Sequence, residues 1–264
     1  MSLRLSISIV WLLLSKAAFA QVLNAEAFKS QDKVTEKMRG LYSFGFTADK
    51  QRSLIYTLSS DLDMSFRIKK QSLLTAARLR VSGTSEQMLL NGGFVHFRLR
   101  DNTGKILLTE EYVQYQWDGV RGLKNRFILG ANLRQKILDD SLTQLFGGFG
   151  AFYEFEEWGL TAVPAAERPV GITDFTKQLL KFNTYIRFSR AFAGNARFST
   201  VFYYQALPAY YFKEYRLAGT FQLAFRISRH IDFNINYDGI YDTQPVVPID
   251  QFYFNISNQF VLKF

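Results

Sequence analysis

From residue 38 onward the chain alternates apolar and polar side chains with a period of two, the mark of strands whose two faces meet different surroundings. In "FYFNISNQFVLKF" (252–264), Phe252, Phe254, Ile256, Phe260, Leu262 and Phe264 share one face, while Asn255, Ser257, Gln259 and Lys263 share the other. The clearest case is 53–68, with Leu54, Tyr56, Leu58, Leu62, Met64, Phe66 and Ile68 against Thr57, Ser59, Asp61, Asp63, Ser65 and Arg67. An alternation of roughly fifteen residues is long for a globular strand and ordinary for an outer-membrane one. The pattern predicts twelve strands, at 38–48, 53–68, 72–83, 87–100, 105–118, 122–136, 142–157, 175–190, 196–206, 212–228, 230–241 and 251–264.

The connections divide by parity. Even-numbered strands are followed by "KKQS", "DNTG", "LDDS", "AFAGNA" and "SRH", whereas "EWGLTAVPAAERPVGIT", "ALPAYYFKE" and "YDTQPVVPIDQ" follow odd-numbered ones. All 5 prolines lie in the long connections, where no ladder hydrogen bond is lost. Short periplasmic turns, long outer loops and both chain ends on one side describe an all-β, transmembrane antiparallel β-barrel. Trp117, Tyr115, Trp158, Tyr215 and Tyr237 are expected near the interfaces as an aromatic girdle.

The first twenty residues support export. "MSLRLSISIVWLLLSKAAFA" has Arg4, an apolar run from Leu5 to Leu14 and Ala18-Phe19-Ala20 as a small-x-small cleavage site. The run is well short of the roughly twenty residues of a helical span. The expected organisation is a signal peptide at 1–20, cut near Ala20, a periplasmic arm at 21–37 and a barrel at 38–264, placed in the outer membrane of a Gram-negative bacterium. Composition agrees: 16% of residues are aromatic, with 26 Phe and 14 Tyr. A secreted β-sandwich is the competing architecture. With no cysteine, there is neither a disulfide framework nor a thiolate metal site. The net charge of +9 falls by two when Arg4 and Lys16 leave with the signal peptide, and no basic cluster or motif points to nucleic acid.

Opposed residues of an antiparallel hairpin have a constant index sum, so each turn predicts its own cross-strand pairs. A turn centred on Lys70-Gln71 sets Asp63 against Arg78 and Asp61 against Arg80. One centred on Asp140 sets Arg126 against Glu154 and Lys124 against Glu156. Similarly, His96 faces Glu110 and Arg226 faces Asp232. Opposite signs on polar faces suit a crowded lumen, where like charges would repel.

Three stretches, "LNGGFVHFRLRDN" (90–102), "GAFYEFE" (150–156) and "YYQALPAYYFKEYRL" (203–217), resemble the YdiY-like family of salt-induced outer-membrane proteins, a domain-of-unknown-function family. The family's Gly-x-x-His-x-Arg strand is matched by Gly93, His96 and Arg98, and its Tyr-Glu-x-Glu strand by Tyr153, Glu154 and Glu156. Gln205-Ala206-Leu207-Pro208 departs from the family's Gln-Pro at that place. The resemblance covers most of the chain after residue 20 and implies a location and a fold, not a reaction.

Candidate chemistry is sparse. His96 beside Glu110 has the elements of a base oriented by a carboxylate, but Arg98 stands where an outer-membrane phospholipase has serine; His230 falls in a turn. Asp61 with Asp63, and Glu154 with Glu156, share a strand face as calcium ligands would, yet each acid has a basic partner, so no metal and no cofactor is expected. The glycines of "FGGFG" (146–150) relieve crowding in a curved sheet. Setting the pairs aside leaves surplus base on the lumen face: Arg67, Arg98, Arg100, Arg134, Lys181, Arg187, Arg197 and Arg216, against Glu214 and Asp238. Arg98, Arg187, Arg197 and Arg216, with Tyr185 and Tyr203, are candidate ligands for a small anionic solute. This points to a narrow passive channel or binding barrel. The alternatives are a hydrolase of lipid or lipopolysaccharide, or a purely structural envelope barrel. Expected partners are outer-membrane lipid and lipopolysaccharide, and the outer-membrane assembly machinery through the terminal Phe264.

Overall fold

A computed structural model describes residues 37–264 except 51–53, 85–86, 102, 104–105 and 193–194, and except the side chain of Asp49. The expected signal peptide, and the expected arm up to residue 36, lie outside the described residues. Twelve antiparallel strands run up and down in chain order and close on themselves. They are β1 (Met38–Lys50), β2 (Leu54–Ile68), β3 (Gln71–Gly83), β4 (Met88–Asp101), β5 (Leu107–Asp118) and β6 (Leu123–Asp139), then β7 (Thr143–Gly159), β8 (Asp174–Ala191), β9 (Ala196–Ala206), β10 (Tyr215–Arg226), β11 (Ile231–Asp242) and β12 (Phe252–Lys263). The tenth strand begins three residues later than predicted, because Pro208–Tyr210 forms a 3-10 turn and Lys213 and Glu214 bond back to the Tyr210 carbonyl.

The alternation is inside-out relative to a soluble protein. Phe44, Phe46 and Phe260 on the outer wall are 60%, 60% and 63% exposed, while His96 and Glu110 inside are 0% exposed. A wall of this kind, apolar outside and with its central polar side chains covered inside, is what a strand needs when one face meets lipid.

Closure is uneven. β1 pairs with β2 over its whole length and β12 pairs with β11 from Phe252 to Leu262. Between β1 and β12 the ladder comprises Leu41 opposite Lys263 and Tyr42 opposite Leu262, extended by reciprocal backbone bonds between Gly40 and Phe264 at 2.8 and 3.0 Å. Gly40 leaves room for the Phe264 ring: a Cβ would stand 2.2 Å from it. The Ser43 hydroxyl then donates to Gln259 at 3.0 Å.

Several predicted registers are displaced. Asp61 stands opposite Arg78, with Ala76 opposite Asp63 and Ser59 opposite Arg80. The turn is a two-residue one at Lys69-Lys70, with Lys69 at φ 55°, the left-handed conformation such hairpins need. A two-residue slip keeps the face, so Arg78 still reaches Asp63 at 2.6 Å, and Arg80 reaches Asp61 at 3.8 Å.

His96 faces Gln114, not Glu110, and Arg100 takes the place opposite Glu110. At the end of β4 the Asp101 carboxylate accepts from the Thr103 backbone and hydroxyl at 3.0 and 2.9 Å. Arg126 stands opposite Glu156, and bulges lie between Leu123 and Asn125 and between Lys136 and Leu138. The first bulge turns Lys124 outward, away from Glu156, to a bond with Asp174 and a 3.9 Å contact with Glu157. Arg226 stands opposite Asp232, whose carboxylate meets Lys263 Nζ at 2.6 Å. Trp158 is not a girdle residue. It shares the inward parity of Glu154 and Glu156 and its indole donates to Glu156 at 3.2 Å, whereas Tyr115 lies on the outer wall, its ring centroid 6.0 Å from that of Trp117.

Candidate functional site

Charge in the lumen gathers on two sets of carboxylates. On β5, Glu110 accepts from Arg98 Nη1 at 3.2 Å, Arg100 Nε at 2.6 Å and, across the lumen from β8, the Tyr185 hydroxyl at 2.8 Å; Arg134 lies 3.5 Å away. Tyr185 reaches inward because Gly148 on β7 has no side chain, and a Cβ there would stand 2.2 Å from the ring. On β7, Glu154 accepts from Arg126 Nε at 2.7 Å, from Lys181 at 2.5 Å and from Arg216 at 3.2 Å. Arg216 also donates to Glu156 at 3.2 Å and to Asp242 at 2.8 Å, so one guanidinium ties β7 to β10 and β11.

A chain of hydrogen bonds leads from His96 to the Glu154 set. His96 Nδ1 lies 3.2 Å from Gln114 Oε1, Gln114 donates to Gln116 at 3.1 Å, and Arg126 donates to the same Gln116 oxygen at 3.2 Å. Rings fill what remains: the His96 and Tyr112 rings stack at 5.9 Å, Arg98 lies 5.2 Å from the Tyr112 centroid and Arg134 lies 3.9 Å from that of Phe146. Above this layer the long connections close the mouth, where Leu123, Trp158, Val163 and Val247 pack with Leu160, Phe175, Val246 and Ile249.

Between network and cap lies a lumenal cavity of about 40 Å³, room for about three waters. Arg98, Arg121, Arg126 and Arg216 line it, with Glu156, Gln116, Tyr203 and Trp158. Arg121 belongs to the β5–β6 turn, which folds inward so that its guanidinium lies 4.6 Å from the Tyr253 centroid and 5.5 Å from that of Trp158. Burial, with Arg216 nearby, lowers its pKa below the ordinary guanidinium value despite Asp118. Its Nε is buried without a hydrogen-bond acceptor.

The sequence-predicted residues are therefore divided. Arg98, Arg216 and Tyr203 line the cavity and Tyr185 belongs to the Glu110 set. Arg187 is buried opposite Val201 and Phe146, and Arg197 is opposite Ala191 and Ala224 near the short-turn end, both away from the cavity lining. The surplus base is smaller than the sequence suggested, since Arg98, Arg100, Arg134, Lys181 and Arg216 all have carboxylate partners. Arg121 was not foreseen, because a turn residue carries no alternation from which its direction can be read. Among the described residues, no group of three or more His, Asp or Glu could hold a metal ion.

No protein of curated function matches the chain. Among solved structures it is similar to the translocator domain of the autotransporter NalP from Neisseria meningitidis, at 10% identity and TM-score 0.45, covering 88% of this chain and 90% of that one. It is also similar to the NanC porin, at 11% identity and TM-score 0.40 over 85% and 97% of the two chains, and to the CymD monoaromatic hydrocarbon channel, at 9% and 0.33 over 86% and 87%. A family model described as "Protein of unknown function, DUF481" matches residues 56–249, from β2 to the loop before β12, and the chain belongs to that family.

Proposed function

We propose that the protein is a bacterial outer-membrane barrel that holds a small anionic solute in the outer half of its lumen, and that it is a binding barrel, not an open channel or an enzyme. The observation that carries this is the cavity walled by Arg98, Arg121, Arg126 and Arg216, in which the Arg121 Nε–H has no acceptor. A buried donor without an acceptor is costly, and a carboxylate or a small oxyanion would supply one while offsetting the repulsion between Arg121 and Arg216. The cavity size suits a single small headgroup, and the cation pairs around Glu110 and Glu154 oppose free flow. His96, the residue a hydrolase would need as base, is engaged with Gln114 and stacked on Tyr112.

Trp158 lies against Arg121 and reports on the site. Titrating the refolded barrel with inorganic phosphate, sulfate or acetate is expected to change its fluorescence saturably, and cations are expected not to. Arg121→Gln abolishes the response while heat-resistant compact migration shows that the barrel is retained. A planar bilayer containing the folded protein stays nearly silent under a salt gradient. A steady ohmic conductance, or a fluorescence response that survives Arg121→Gln, would refute the proposal.

A further inference from the structure

The seam between β1 and β12 is unlike the other eleven junctions. Its ladder covers only the short-turn end, from Gly40 to Tyr42 against Leu262 to Phe264, and beyond the Ser43–Gln259 bond the two strands present backbone edges without a partner strand among the described residues. No turn joins these two strands, so nothing local enforces their register. The stretch without ladder pairs lies in the long-loop half of the wall, the half that contains the Arg-lined cavity.

Its rim is chemically two-sided. Phe44 and Phe46 on β1 and Phe254 and Ile256 on β12 project outward and are exposed. On the inner side, Asn255 is buried within the barrel, and the neighbouring Tyr253 carries the Arg121 guanidinium over its ring. An apolar outer lip therefore leads past a polar inner lip to a buried cationic group. This sequence of surroundings fits a molecule with an acyl chain at one end and an anionic headgroup at the other.

We infer that the β1–β12 seam is a lateral portal through which a single-chain anionic amphiphile passes between the bilayer and the lumenal site. The inference rests on the anion-binding reading of that site and names its substrate class. The chain stays in the apolar gap while the headgroup reaches Arg121, so the mouth need not open. Because the long loops cap the lumen with Leu123, Trp158, Val163 and Val247, entry from the side avoids their displacement.

The chain has no cysteine, which makes a direct test available. Continuing the Leu41–Lys263 register brings Thr47 opposite Ser257. The double variant Thr47→Cys, Ser257→Cys, refolded into phosphatidylcholine vesicles, is compared reduced and oxidised by following Trp158 fluorescence. Dodecyl phosphate supplied in the bilayer is expected to bind at least tenfold more slowly after oxidation and to recover with reductant, while inorganic phosphate from the aqueous side binds at one rate in both states. Equal dodecyl phosphate rates in the two states would overturn the portal, as would disulfides that form between molecules, which would make the seam an edge for a second copy. If neutral dodecanol shows the seam-dependent rate and inorganic phosphate does not bind, the anion site fails and the portal stands. A single Thr47→Cys carrying a bulky maleimide blocks the gap without a disulfide and is expected to slow dodecyl phosphate in the same way.

Discussion

Glutamine in place of Glu154 keeps the size of a side chain that is 1% exposed and removes its charge. Three cations lose a partner: Arg126, Lys181 at 2.5 Å and Arg216 at 3.2 Å. Breaking a buried ion pair costs about 3 to 5 kcal/mol, whereas a water-screened pair is worth about 0 to 1 kcal/mol. Arg126 and Arg216 retain Glu156, and Arg216 also retains Asp242, which favours the lower end, about 3 kcal/mol. Urea unfolding in lipid vesicles, followed by tryptophan fluorescence and by heat-resistant migration, measures the difference. Glu157→Gln, at the half-exposed rim where Glu157 pairs with Lys124 at 3.9 Å, is the control and is expected to change stability by less than about 0.5 kcal/mol. Adding Lys181→Met to Glu154→Gln should recover part of the loss, because Lys181, whose ion pair is with Glu154, is the cation that the first substitution leaves short of a partner. A loss below about 1 kcal/mol for Glu154→Gln would mean that water reaches and screens these charges, and the closed lumen argued from them would be wrong.

Gly40→Val is expected to push the Phe264 ring off β1 and to cost about 1 to 3 kcal/mol as overpacking, with Phe264→Ala in the same chain relieving most of it in the same unfolding assay. Trp158→Ala removes the largest ring of the cap and is expected to cost about 3 to 5 kcal/mol; it should also give small conductance steps in a planar bilayer where the parent is silent. Asp140, in the turn between β6 and β7, accepts from the Thr143 and Leu142 backbone at 2.5 and 2.8 Å, and these bonds hold its carboxyl below the ordinary carboxylate range. Its contribution to stability is therefore complete above the unfolded pKa of about 4 and is lost as the pH falls through the lower folded value. Stability measured from pH 6 to pH 2 should show Asp140→Asn approaching the parent at the acid end.

The strands and their faces were legible because period-two alternation is a direct imprint of a wall between two media. Registers were less so, since a hairpin's centre depends on turn conformation, as Lys69 at positive φ shows for β2 and β3. The errors of two or four residues preserved the face, so Asp61 and Asp63 still meet Arg78. Bulges change the face, and one at Leu123–Asn125 took Lys124 out of the lumen. Trp158 was misplaced on chemical habit, since its parity already pointed inward. The candidate site was half legible: Arg98, Arg216 and Tyr203 follow from alternation, but Arg121 becomes a lumenal group only once its turn has folded over the strands.

The bonds that close the barrel join its first strand to its last, as in the contact of Ser43 with Gln259, 216 positions apart. Contacts of such sequence separation cost the most loop-closure entropy and form late. Hairpins from β2 to β11 can assemble from neighbours, but the ring closes only when β12 meets β1. Until the β1–β12 contacts form, the chain is a nearly complete sheet with two exposed edges, prone to pair with other chains. The short β1–β12 contact thus acts as a clasp, in which a handful of bonds converts an aggregation-prone sheet into a closed cylinder.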